Sequence, residues 1–276
     1  MPIIKISNKL TFTAEKRSFR RFNQRIFAVV LAGLLSACAS TGNGDLPDKR
    51  SKSRVSADEK ALIHTKLARG YMEQGQLSTA KDSLNTALEI SPNHSDSNYV
   101  MALLMTRLNQ YPKAERYFAK AVASDSENSA AAHDFGTFLC QTGKGEKAKK
   151  YFDIAVSNPL FRRAELSYMR AGECLATIDS VEAEAYLKKA LSINPRLAPA
   201  LYKLARMKFD ERSYLSSRAY IERLFAITEP QPESLLLAYQ IESSLNANDV
   251  AEQYRSQLLK GFPASRQART VRDADR

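Results

Sequence analysis

The chain has 276 residues, 44% hydrophobic and 26% charged, with only 10 Gly and 10 Pro, which excludes a collagen-like or low-complexity polymer and a fully disordered one. Three Cys are too few for a disulfide scaffold or a Cys-based zinc module. The net charge of +11 would suit a polyanion, but residues 1–37 hold seven basic side chains against one acid, and the remaining 239 residues hold 34 against 29. An excess of five over that length is ordinary, so no nucleic-acid partner is expected.

The first element is a leader, residues 1–37. Ile26–Leu35 is an uncharged apolar run behind Arg20, Arg21 and Arg25. It is shorter than the roughly 20 residues a spanning helix needs, and it fits the apolar core of a secretory signal. Leu35-Ser36-Ala37-Cys38 resembles the lipobox of bacterial lipoprotein signals. That resemblance implies lipidation at Cys38, and Ala39 after it, rather than Asp, implies sorting to the outer membrane. Residues 38–56 are polar and aperiodic, and read as the lipidated Cys with a flexible tether.

A repeat fills the next stretch, residues 57–265. Ala80, Ala114 and Ala148 are 34 apart, each followed by Leu84, Phe118 or Phe152 and then by Ala87, Ala121 or Ala155. Ala68, Ala102 and Gly136 precede them by twelve, each next to Leu67, Met101 or Phe135. After a one-residue slip the set returns at Ala171, Ala183, Leu187 and Ala190, then at Ala205, Ser217, Ile221 and Leu224, and last at Ala251 and Leu258. This resembles the tetratricopeptide repeat, a helix–turn–helix in which small residues let paired helices approach. The resemblance implies an all-α, right-handed superhelical solenoid of six units, at 61–94, 95–128, 129–162, 164–197, 198–231 and 232–265. In the sixth, Tyr239 stands at the usual small position with Ala238 beside it, so its packing is in question. Residues 266–276 are a polar tail expected to cap the last helix or to fray.

Catalytic patterns are not found. His64, His94 and His133 lack partners at ligand spacing, and there is no phosphate loop, nucleophile elbow or zinc-protease helix. The reading is a binding protein, with no catalytic residue, cofactor or metal. Cys140 and Cys174 lie on neighbouring first helices, one register position apart by the slip, and a disulfide is expected if the domain is periplasmic. The alternative is two buried free thiols. By the repeat resemblance, the concave wall is built by positions 2, 5, 9, 12 and 13 of each first helix. Leu62, Arg69, Met72, Tyr99 and Leu103 therefore become the candidate partner contacts in units one and two, as an apolar groove for a peptide or helix.

The lipobox, the tether, the six repeats and the runs HDFGTFLCQTGKGEKAKKYFDIAVSNP (133–159), ECLATIDSVEAEAYLKKALSINP (173–195) and SLLLAYQIE (234–242) together resemble the PilF/PilW family of type IV pilus biogenesis lipoproteins. The family's paired Cys match Cys140 and Cys174. The resemblance implies a pilotin-type protein, monomeric alone and lipid-anchored at the outer membrane. It would bind secretin subunits and promote their localisation and multimerisation. The competing expectation is a repeat scaffold serving envelope assembly or peptidoglycan enzymes.

Overall fold

The computed structural model describes residues 55–274, and Cys38 with the leader and most of the tether lies outside them. Six helix pairs follow one another: α1 (Ala57–Glu73) with α2 (Leu77–Ile90), α3 (Ser95–Arg107) with α4 (Tyr111–Ser124), α5 (Ser129–Gln141) with α6 (Gly145–Ser157), α7 (Ala164–Leu175) with α8 (Ser180–Ile193), α9 (Ala198–Asp210) with α10 (Tyr214–Phe225), and α11 (Pro232–Ser244) with α12 (Asn248–Gly261). A last helix, α13 (Arg266–Ala274), closes the described residues, which contain no strand. The fold is an all-α tetratricopeptide solenoid.

Local chemistry sets the helix boundaries. Ser56 caps α1 through a reciprocal pair: its hydroxyl accepts from the Glu59 N–H at 3.1 Å, and the Glu59 carboxylate accepts from the Ser56 N–H at 2.7 Å. Asn128 and Asp179 cap α5 and α8 in the simpler way, and Pro112, Pro199 and Pro232 sit in first turns, where no intrahelical donor is lost. In five of the six pairs the chain reverses through a left-handed residue at position 15. These are Gly75, Asn109, Gly143, Arg212 and Asn246, with φ between 57° and 77°.

Between paired helices the small residues do what the repeat pattern requires. Ala68, Ala80, Ala102, Ala114 and Ala148 are fully buried, with Leu84, Phe118 and Phe152 filling the space beside them. Gly136 admits Phe152 so closely that an added Cβ would stand 2.9 Å from the ring. In unit five Ser217 takes the Ala position, and its buried hydroxyl donates to the Ala205 carbonyl at 2.6 Å.

Unit four corrects the expected register. The small residue facing its second helix is Gly172, not Ala171: a Cβ on Gly172 would meet Leu187 at 2.6 Å and the Ala183 carbonyl at 2.9 Å. The change is therefore larger than a one-residue slip. The connection before α7 runs over six residues, 158–163, where most others use four. The α7–α8 turn, 176–179, has four residues where the other pairs use three, and it has no left-handed residue.

The C-terminal end is sealed. Ala268 and Val271 of α13 are buried against Leu235 and Leu258, and Tyr239 packs into the same small core. The tail thus caps the stack through residue 274, and the bulky Tyr239 finds its place under that cap while Ala238 is buried in the stack.

Candidate functional site

The first helices α1, α3, α5 and α7 stand side by side and form the inner wall. Hydroxyl contacts stitch them at recurring positions. Thr65 and Ser97 meet at 2.6 Å, and two units later His133 Nδ1 and Ser167 meet at 2.6 Å. That recurrence places Ser167 at position 3 of its unit, which independently supports the shifted register of α7. Burial holds the His133 imidazole below its ordinary pKa of 6.5, against an opposing pull from Asp134.

Across the mouth of units one to three runs a chain of polar contacts. The Arg69 guanidinium lies 5.3 Å from the centre of the Tyr99 ring and 3.9 Å from Asp96. The Tyr99 hydroxyl donates to the Asp134 carboxylate. Burial first, and the Asp134 charge second, push the Tyr99 hydroxyl far above its usual range, so it stays protonated and donating.

These contacts revise the candidate wall. Tyr99 is buried, with 6% of its surface exposed, and is spent on Arg69 and Asp134, so it is not a free contact for a partner. Met72 and Leu103 are half-buried and pack on the core, which makes them more floor than wall. Leu62 and Arg69 are half-buried, and Arg69 remains partly accessible at the rim.

Two residues that the wall positions did not include stand out instead. Ile63 and Leu67 of α1 are 55% and 49% exposed. In units two and five the same positions hold Ser97, Met101, Ala200 and Leu204, all at 1% or less. Each later unit buries those positions under its predecessor, and unit one has no predecessor among the described residues. The signal was present in the sequence: an apolar pair kept at stacking positions where the stack begins.

At the other end of the wall, a cleft of about 510 Å³ opens between units five and six, lined by Ala198, Pro199, Tyr202 and Leu224 with Glu229 and Glu233 at its rim. It lies where the connection 226–231 is again six residues long. Cys140 and Cys174 come together as expected, with Cα atoms 5.7 Å apart, inside the range of about 4.4–6.8 Å that a disulfide requires. No cluster of three metal-ligating side chains occurs among the described residues, and none of their helices is long and apolar enough to cross a membrane.

Comparison with known proteins agrees with this geometry. The tetratricopeptide repeat family matches residues 61–94. The chain is 29% identical over 238 residues to the type IV pilus assembly protein PilF of Pseudomonas aeruginosa, covering 86% of this chain and 92% of that one. Among solved structures it is similar to PilW, a widely conserved type IV pilus biogenesis factor, with 28% identity and a TM-score of 0.65 over 76% of this chain and 97% of PilW. It is also similar to the structure of Pseudomonas aeruginosa PilF, with 25% identity and a TM-score of 0.67 over 79% and 99%.

Proposed function

The chain belongs to the PilF/PilW family of tetratricopeptide-repeat proteins, and from that premise we propose that it is a pilotin-type outer-membrane lipoprotein. Its relatives place it in type IV pilus biogenesis, and a repeat protein in that process acts by protein–protein contact rather than by catalysis. On this reading Cys38 carries the lipid, the solenoid binds secretin subunits, and the anchor confines both to one surface. Confinement raises the effective concentration of subunits for one another without any new contact between them.

The observation that carries the partner assignment is the uncovered apolar face of α1. Ile63 and Leu67 are large, exposed, and held at positions that every fully stacked unit buries. An amphipathic segment of the secretin laid against them would continue the stack as a preceding helix does. The pair Ile63→Lys and Leu67→Lys therefore abolishes secretin multimers in cell envelopes while the circular dichroism of the purified protein is unchanged. Wild-type multimer levels in that folded variant would remove the assignment.

The same reading puts the domain in an oxidising compartment, where Cys140 and Cys174 form a disulfide. With Cys38 acylated, the unfolded protein then shows no reactive thiol before reduction and two after it. The cleft between units five and six favours a second reading, a scaffold holding a further envelope client. Affinity capture from envelope extracts separates them: a secretin supports the first, while cell-wall enzymes without a secretin support the second.

A further inference from the structure

The convex side of units one and two carries a basic groove whose charged rim neither the stacking nor the secretin face uses. It is a depression of about 400 Å³ between α2 and α4, with Met101 and Met105 among its lining and Tyr117 alongside. Lys81, Lys113, Arg116 and Lys120 line it. Lys113 donates to the neutral Gln110 side chain at 2.8 Å. Lys81, Arg116 and Lys120 are exposed and make no ion pair among the described residues. The carboxylate of α4, Glu115, is drawn away from Arg116 and Lys120 to Lys144 of unit three.

The contrast with later units gives the groove its meaning. There the repeat position of Lys81 is neutralised within the fold: Lys149 by Asp153 and Glu182, and Arg218 by Glu242. On α4, Lys113, Arg116 and Lys120 follow at spacings of three and four. Like charges so spaced weaken a helix when nothing compensates them. A set of converging cations without an ion-pair partner, beside the partly exposed Tyr117 ring and over a floor of buried methionines, is complementary to a phosphodiester with an apolar body attached. Arginine supplies the fork that grips two oxygens, and the lysines supply point charge.

We propose that this groove binds the phosphate of anionic phospholipid headgroups and lays the convex side of units one and two on the membrane leaflet. The proposal rests on the lipid-anchored reading above. Sixteen residues lie between Cys38 and Val55, and the stretch reaches at most about 60 Å even when fully extended. The groove belongs to the units that the chain enters first. A chain anchored at one end and docked at this groove would hold the solenoid in one orientation, leaving the opposite, inner wall facing away from the leaflet.

The test uses the whole chain downstream of the leader with Cys38→Ser, so that no acyl chain contributes. It should co-sediment with phosphatidylcholine vesicles that contain phosphatidylglycerol and not with phosphatidylcholine alone, and added salt should release it. Each basic residue near such a surface contributes roughly a fivefold factor in partitioning. Lys81→Glu, Arg116→Glu and Lys120→Glu together should therefore reduce binding by at least about 100-fold. The charge-matched set Arg196→Glu, Arg223→Glu and Arg269→Glu should leave most of it. Binding without dependence on phosphatidylglycerol, retention by the first set, or equal loss in both sets overturns the proposal. Capture of polyglutamate in place of vesicles also overturns it, in favour of an acidic protein partner. Palmitate incorporation at Cys38 and secretin multimerisation are read separately, so failure of the groove is distinguishable from failure of the anchored, secretin-binding reading.

Discussion

Gly172 decides the packing of unit four because its missing Cβ is the space that Leu187 and the Ala183 carbonyl occupy. The carbonyl is backbone and cannot rotate aside. Overpacking of this kind costs about 1–3 kcal/mol, against a helix-propensity gain of about 1 kcal/mol for Ala over Gly. Gly172→Ala should therefore destabilise the protein by about 1–2 kcal/mol in urea unfolding. Gly70 is the counter-case: a Cβ there meets nothing within 4 Å, so Gly70→Ala should stabilise by up to about 1 kcal/mol. His133 carries a pH signature. Its folded-state pKa lies below the ordinary 6.5 because burial disfavours the cation, so the unfolded chain takes up a proton more readily. The stability it supports is complete above about pH 7 and falls as pH drops through 6.5 toward the folded value, with a slope of at most about 1.4 kcal/mol per pH unit. His133→Gln should flatten that part of the stability–pH curve, and an unchanged slope would show that other groups produce it.

At the scale of the helix pair, reversal through a left-handed residue recurs in five units, but only two of them use Gly, namely Gly75 and Gly143. Arg212 holds φ of 60° with a Cβ, which costs an L-residue roughly 1–2 kcal/mol. Gly at that site removes the clash and adds unfolded-chain entropy, so Arg212→Gly should raise stability by a net amount of about 0.5 kcal/mol. No gain in the urea midpoint would mean that the Arg212 side chain has a compensating role. The pairs were readable wherever the 34-residue spacing was kept. Unit four misled because Ala171 and Gly172 are adjacent and both small, so the pattern accepts either, and the interval from Ala171 to Ala183 matches the other units. Only the contact with Leu187 distinguishes them. The groove was legible to the same degree. Tyr99 has the composition of a wall residue, but its hydroxyl is claimed by Asp134, 35 residues away at a different repeat position, and no local pattern encodes that pairing. Ile63 and Leu67 could be read only by asking what a stacking position does where the stack begins.

Over the whole solenoid, the two ends are built differently, and the difference predicts how it opens. Stability in a repeat array is approximately a sum of unit terms and nearest-neighbour interfaces, so an end unit lacks one interface unless something replaces it. At the C-terminal end α13 replaces it, burying Ala268 and Val271 over Leu235 and Leu258. At the N-terminal end of the described residues Ile63 and Leu67 stay exposed, and unit one keeps only the interface with unit two. In the middle, Cys140 and Cys174 sit close enough to tie units three and four, the junction where the six-residue connection and the four-residue turn break the repeat. Native-state hydrogen exchange should therefore show α1 and α2 opening first, at lower free energy than α11 and α12, with α5 and α7 the slowest. Reduction of the bridge should speed exchange in α5–α8 and leave α1–α2 nearly unchanged, because coupling passes between neighbours and decays along the array. If a bound partner covers Ile63 and Leu67 as a preceding helix would, exchange in α1 should slow toward the rate of α3. Protection at α1 equal to the core in the free protein would mean that the exposed pair is not a missing interface, and the basis for assigning it to a partner would be gone.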